Sequence, residues 1–284
     1  ISFMGMHFQF GTNGRIVLKR SAIAGVTAAR LYFNNTCTLT GDPTCQTMWQ
    51  GIRVEGPGET TAGQAYNMAR LYLDKTTIED ALIGVATTRT ALFDMATVAN
   101  SLTTDVPDVT TNNLINPSAI DLLPNNANVN FNGGWVSVFG SSFNNCYYGM
   151  YFAPYSGAST SHFPNSEAYN INATSFISTT LHCPFTPNFR GEGGIVSTDM
   201  KRIIDVRGSY FDNLTYGIRA NNATNLLKYR VGASTFQNCT RGISMRNVIA
   251  TAGQVDITNN TLANCSIAIQ TDGLYNCNIN SNNH

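Results

Sequence analysis

Apolar and polar positions alternate in short bursts along this chain, and none of the bursts has helical spacing. Tyr229-x-Val231, Val255-x-Ile257, Ile204-x-Val206 and Val136-x-Val138 each hold one residue between two apolar ones, the mark of a half-buried strand. A Ser/Thr-x-Phe piece follows each of them, and then a Gly-Ile piece. The three pieces recur as a unit at residues 73–85, 138–150, 206–218, 231–243 and 257–269. A partial copy at 171–180 keeps the apolar residue, the Ser and Phe176, and then loses its ending. Aligned on Ile78, Phe143, Phe176, Phe211, Phe236 and Leu262, the last two steps are 25 and 26 residues.

Repeats built on helices need a helical stripe in every unit, and no unit here has one. Three short strands per repeat, with turns between them, describe one coil of a parallel β-helix. Successive coils then stack at the inter-strand spacing of ~4.8 Å, each residue over its counterpart. The expected fold is all-β: a right-handed parallel β-helix over residues 1–284 as one domain. Residues 1–30 read as an atypical first coil, with Arg15-Ile16-Val17-Leu18-Lys19 as its strand. Residues 86–132, 153–168 and 182–199 read as loop excursions, and excursions of this length are commonly functional.

Stacking assigns roles inside the coil. Phe143, Phe176, Phe211 and Phe236 form an interior aromatic stack. Asn145, Asn213, Asn238 and Asn264, with Asp80, fall at one corner, where Asn tolerates the left-handed backbone of a sharp bend. Their amides are placed to hydrogen-bond along the stack. This accounts for the Asn of Asn213-Leu214-Thr215 and Asn238-Cys239-Thr240, which otherwise read as glycosylation triplets. Gly84, Gly149, Gly217 and Gly242 are expected to permit the next bend. Cys146, Cys239 and Cys265 follow the corner and read as buried small side chains. Cys239 and Cys265 lie one coil apart, so a bridge stands beside the free-thiol reading. The chain has seven Cys, an odd number. Cys37 and Cys45 flank a turn-forming loop and are expected to form a disulfide, which implies an oxidising compartment.

The repeat Val-x-Val-x-x-Ser-x-Phe-x-Asn-x-x-x-Gly-Ile resembles the right-handed parallel β-helix repeat of pectin-lyase-like proteins. Two stretches look like large secreted proteins of the Bacteroidota. One is the Cys37–Cys45 loop leading into Met48-Trp49-Gln50-Gly51-Ile52-Arg53-Val54. The other is Gly133-Gly134-Trp135-Val136-Ser137-Val138 ahead of a Ser-x-Phe-x-Asn-Asn unit. The resemblance covers residues 31–284 and implies export by type IX secretion to a secreted or cell-surface location.

Composition narrows the function. Charged residues make up 12% of the chain, about half the usual share, and the net charge is zero. That argues against a broad phosphate-binding surface and hence against nucleic acid as a partner. No apolar run approaches the ~20 residues of a membrane helix, so membrane insertion is not expected. Residues 1–10 lack the features of a signal peptide, and residue 1 is not an initiator Met. The chain is therefore expected to belong to a longer one, with neighbouring domains of that chain as partners. No phosphate loop or dinucleotide fingerprint appears, and no cofactor is expected. His7, His162, His182 and His284 do not pair at ligand spacing, and no dense Asp/Glu cluster appears, so no metal is expected.

Candidate chemistry lies on outward positions. In the first strand of each coil the residue between the two apolar ones faces out, giving Ser137, Asn170, Asp205, Arg230, Asp256 and Asn276. Asp205 and Asp256, ~10 Å apart across two coil spacings, approach the carboxylate separation of an inverting glycosidase. With Arg230 between them they are the candidate catalytic residues. The simpler reading is a cross-strand ion-pair ladder, in which Arg230 holds both carboxyls down, the wrong direction for a general acid. A lyase on this fold would need a base, for which Lys201, Arg202, Arg207 and Arg219 are available. His182-Cys183 reads as part of a packing loop rather than a thiol nucleophile. The excursions supply a candidate binding platform of Tyr148, Tyr151, Tyr155, His162, Phe189 and Arg190, suited to sugar rings or a protein partner.

Together these readings favour a non-catalytic secreted or cell-surface β-helix, an adhesin, stalk or carbohydrate-binding scaffold with polysaccharide or a cell-surface protein as partner. A polysaccharide lyase or glycoside hydrolase on the same fold is one alternative. A structural subunit of a surface appendage is another.

Overall fold

The computed structural model describes residues 1–20, 28–44, 47–56, 68–87, 133–153, 155, 168–182, 190–223, 227–248, 254–274 and 276–283. Within them the chain is a right-handed parallel β-helix. Three sheets of nine, eight and eight strands run along it, and every strand pairs in parallel with the strand one coil on. The alternating strands, Trp135–Phe139, Tyr169–Asn172, Ile204–Arg207 and Lys228–Gly232 among them, form the first sheet. The Ser/Thr-x-Phe strands form the second and the Gly-Ile strands the third.

Three boundaries differ from expectation. The first coil is complete, with strands Ser2–Met4, His7–Phe10 and Arg15–Leu18 entering all three sheets. The partial copy around Phe176 regains its ending at Gly193–Thr198, which pairs with strands on both sides. Its insertion therefore sits between the second and third strands, and the excursion placed at 182–199 contains a regular strand. The chain also returns to the core within the excursion placed at 153–168, where Tyr155 bridges Met200. Residues 88–132 lie outside those described.

The interior stack forms as the spacing requires. Phe143, Phe176, Phe211 and Phe236 lie in register with centroid separations of 4.9, 4.9 and 4.6 Å and nearly parallel planes, and all are buried. Ile78 and Leu262 continue the row at either end. The glycines have a different role from the one expected, since Gly84, Gly149, Gly217 and Gly242 are not among the residues with positive φ. Each instead lacks a side chain because the next coil fills the space. A Cβ on Gly149 would stand 2.5 Å from the Phe176 ring, and one on Gly217 2.5 Å from Phe236.

The Asn corner bends through left-handed backbone: Asp80, Asn145, Asn213, Asn238 and Asn264 have φ between 51° and 55°. Among the described residues one link there joins amide to amide, Asn264 Nδ2 donating to Asn238 Oδ1 at 3.4 Å. Just beyond it Cys146, Cys239 and Cys265 are free thiols. Cys239 and Cys265 interact one coil apart, which lowers the Cys265 thiol to about 7 and raises that of Cys239, while their Sγ atoms donate to Gln237 O at 3.4 Å and Phe236 O at 3.7 Å.

The turn between the first and second sheets holds a ladder the sequence reading missed. Thr76, Ser141, Thr174, Ser209, Ser234 and Asn260 are all buried there. Ser141 Oγ accepts from Thr76 N at 3.1 Å, Ser234 Oγ from Ser209 N at 3.1 Å, and Asn260 Oδ1 from Ser234 N at 3.0 Å. These side chains satisfy backbone donors that point along the coil axis, where no strand partner exists. Cys37 stands at the same place in the second coil. It is buried and donates to Asn34 O at 3.3 Å, while Cys45, its expected bridge partner, lies outside the described residues.

Phe211→Ala should cost about 3–5 kcal/mol, the usual range for a buried phenyl. Ser209→Ala should cost about 1–3 kcal/mol by stranding a buried N–H. Arg207→Ala, on the outer face, should stay within about 0.5 kcal/mol. Thermal melts followed by circular dichroism test this ordering, and a Ser209→Ala protein as stable as wild type would refute the ladder.

Candidate functional site

The outer face of the first sheet is built by alternation. Each strand turns two apolar side chains inward and presents the residue between them. The registers join Tyr32, Tyr72, Ser137, Asn170, Asp205, Arg230, Asp256 and Asn278 into one row. The last member is Asn278, not the expected Asn276, which is a turn residue with φ of 55° ahead of its strand.

The charges in the row pair differently from expectation. Arg207, two residues along the same strand, donates from Nε to Asp205 Oδ1 at 2.8 Å and from Nη2 to Oδ2 at 3.2 Å. That contact raises the pKa of Arg207. Among the described residues neither Arg230 nor Asp256 forms an ion pair within 4.0 Å. Residues i and i+2 share one face of a strand, so Arg207 reaches both oxygens of Asp205 and displaces Arg230 as its partner. Both oxygens of Asp205 are thus engaged by Arg207.

At the other end of the row stands an aromatic patch. Tyr32 and Tyr72 stack at 4.3 Å with planes 7° apart, and Trp135 leans on Tyr72 at 5.0 Å. The Arg70 guanidinium lies 5.9 Å from the Trp135 ring. All three rings keep partial exposure. Leu31-Tyr32-Phe33 and Leu71-Tyr72-Leu73 obey the rule that identifies Ser137 and Asp205, so the patch was within reach of the sequence pattern.

The expected loop platform is instead packed away. Tyr148, Tyr151 and Tyr155 are 6%, 8% and 5% exposed. Tyr148 and Tyr151 belong to a second apolar cluster with Met48, Leu82, Leu181 and Val196. Tyr155 receives the Arg202 guanidinium over its ring at 4.7 Å. Arg190 is exposed and donates to Asn238 O at 3.4 Å. His162 and Phe189 lie outside the described residues.

A second polar site sits on the outer face of the third sheet. Gly193, Tyr216 and Arg241 are neighbours across three coils, and Val196, Arg219 and Ser244 form the row beside them. Glu192, just before its strand, points its carboxylate toward this face, with Oε1 3.9 Å from Arg219 Nη1. Its side chain is 20% exposed, recessed yet open to water. Burial raises the Glu192 carboxyl from 4.5 to about 7, against the pull of Arg219, the Thr215 hydroxyl and Arg241. Burial likewise raises the phenols of Tyr147 and Tyr148 beside it. The sequence signal was x-Gly-Ile-x: residues flanking the pair face out, which places Tyr216, Arg219 and Arg241.

At the Asn corner, Asp80 Oδ1 lies 3.4 Å from His182 Nε2. Desolvation raises Asp80 to about 6, outweighing the attraction of His182. Among the described residues no three His, Cys, Asp or Glu side chains converge as a metal site, and no helix is long and apolar enough to cross a membrane. Protein-family models, curated proteins and solved structures were compared with the chain, and none matches.

A carboxyl raised by folding stabilises the protein fully below its unfolded value, and that contribution is lost as pH rises through its folded value. Glu192 and Asp80 both act in this sense, so stability should decline from about pH 4.5 to about pH 7. The Glu192 shift corresponds to about 3 kcal/mol at most. Glu192→Gln should flatten most of the decline in unfolding midpoint, and an unchanged slope in that variant would contradict the assignment.

Proposed function

We propose that this chain is part of a secreted or cell-surface β-helix protein that binds polysaccharide along the outer face of its first sheet without cleaving it. The observation that carries the reading is the Tyr32–Tyr72–Trp135 patch at one end of the row and its continuation into Ser137, Asn170 and the charged residues beyond. Aromatic faces pack against the C–H faces of sugar rings, and a straight row of hydroxyl, amide and charged groups suits the hydroxyls of an extended glycan. The zero net charge of the chain fits such a ligand better than a polyanion such as nucleic acid.

The repeat pattern and the three-sheet architecture support a pectin-lyase-like relationship. The resemblance to large Bacteroidota proteins exported by type IX secretion supports the surface location and an adhesin or scaffold role. Against the lyase or glycosidase reading, Asp205 is taken by Arg207, which leaves Asp256 without a second free carboxylate in the row.

Affinity electrophoresis against neutral and acidic polysaccharides tests the proposal. Tyr72→Ala and Trp135→Ala are each expected to weaken binding about tenfold, ~1.4 kcal/mol. Tryptophan fluorescence gives a second readout, because Trp49 is fully buried and Trp135 is the ring a bound sugar would perturb. Appearance of cleavage products, abolished by Asp205→Asn or Asp256→Asn, would overturn the non-catalytic reading.

A further inference from the structure

The third-sheet cluster contains more positive charge than its own side chains neutralise. The Arg219 guanidinium lies 4.9 Å and that of Arg241 5.3 Å from the centre of the Tyr216 ring, so two cations flank one ring. The phenol of Tyr216 accepts a hydrogen bond from Arg241 Nη1. An anion reaching both guanidiniums would be attracted by each of them. The one carboxylate within ion-pairing distance among the described residues is Glu192, and it reaches Arg219 alone, at 3.9 Å, too long for a hydrogen bond. Arg241 has no carboxylate within 4.0 Å among the described residues, Glu192 acting on it only from farther away, and its Nε is buried with no acceptor. Arg219 is 9% exposed, while Arg241 is partly exposed and gives access from solvent.

We propose that Arg219, Arg241 and the Tyr216 hydroxyl form a binding site for an oxyanion, a carboxylate or sulfate group, on the outer face of the third sheet. Guanidinium groups bind such anions through paired N–H donors, and the buried Arg241 Nε is a donor with that need unmet. The site is separate from the first-sheet row, so it stands or falls independently of glycan binding there.

Glu192 makes the site responsive to pH. The groups facing it are Arg219, Arg241 and Thr215 on the following coils and Tyr147 and Tyr148 on the preceding one. Both tyrosines stay neutral across the working range, since burial raises them. Below about pH 7 the carboxyl is protonated and the cluster carries both guanidinium charges unopposed. Above it the carboxylate competes for Arg219, so anion affinity declines as pH rises.

Isothermal titration with inorganic sulfate and with D-glucuronate, in chloride-free buffer at about pH 6 and about pH 8, tests this. Both probes, or one, should bind more tightly at the lower pH. Arg241→Gln should weaken binding about tenfold or more. Glu192→Gln should keep the low-pH affinity at both pH values. Arg246→Gln, which removes a cation on the same sheet already paired with Asp272 at 3.1 Å, should change affinity less than about twofold. Tighter glucuronate binding would assign the site to a sugar acid, and tighter sulfate binding to a free oxyanion. The proposal is overturned if neither probe binds at the lower pH, if Arg241→Gln binds as wild type does, or if the pH dependence survives in Glu192→Gln. Arg241 is partly exposed, so its replacement tests the site without removing a sealed core group.

Discussion

A phenyl ring resting on a bare glycine is the contact on which this structure depends. The Phe236 ring occupies the place a Cβ on Gly217 would need, 2.5 Å away, and Phe176 and Phe211 do the same over Gly149 and Gly194. The contact ties the second strand of one coil to the third strand of the coil before. It therefore fixes axial register and cross-section together. A one-residue slip would put a side chain under the ring and force out the aromatic stack. The left-handed Asn corner lies between these two strands and can be tight because the glycine lets them approach. The buried hydroxyl ladder at the opposite turn does the corresponding work for polar groups, closing each coil onto the next through Ser and Asn side chains.

Strict register has a consequence for the surface. Every outward residue is delivered into a row, so chemistry on this molecule is linear. Tyr32 over Tyr72 becomes a stacked pair, while Asp205, Arg230 and Asp256 become a file of charges at coil spacing. A carboxylate in such a file has two choices of partner, across the sheet or along its own strand. Asp205 takes the second, because Arg207 offers both its Nε and Nη2 in a fork that matches both oxygens. The geometry that aligns charged groups across the sheet thus also supplies, for Asp205, a nearer partner along its own strand.

The coil was legible in the sequence wherever one residue type does one job in every turn. Phe143 to Phe236, the Asn corner and the Gly-Ile strands repeat because stacking demands the same shape at the same height. The ending of the Phe176 coil was hidden by an insertion that moved its glycine downstream to Gly194. The Ser ladder was hidden in plain alternation: Ser209 and Ser234 fit a strand pattern as well as a buried turn, and only backbone donors directed along the axis tell the two apart. The aromatic loops misled for a related reason. A Tyr in an excursion reads as displayed, yet Tyr148 and Tyr151 cover the outside of the third sheet, whose outward residues near them are apolar. Tyr32, Tyr72 and Arg219 obeyed the alternation rule from the start, and they stand on the outer faces.

The charge balance gives the third-sheet cluster its meaning. The chain has as many acids as bases, 17 of each, in a composition poor in both. Where charge is this sparse, two guanidiniums beside one ring concentrate a large share of it in one place. Stacking would allow an acid over Arg241, as it places Asp272 against Arg246 on the same sheet. Instead the neighbours of Arg241 in its row are Tyr216 and Ile267, neither able to neutralise it. The fold had the means to close this ion pair internally and left it open, on a recessed face where an external anion would meet low competition from water.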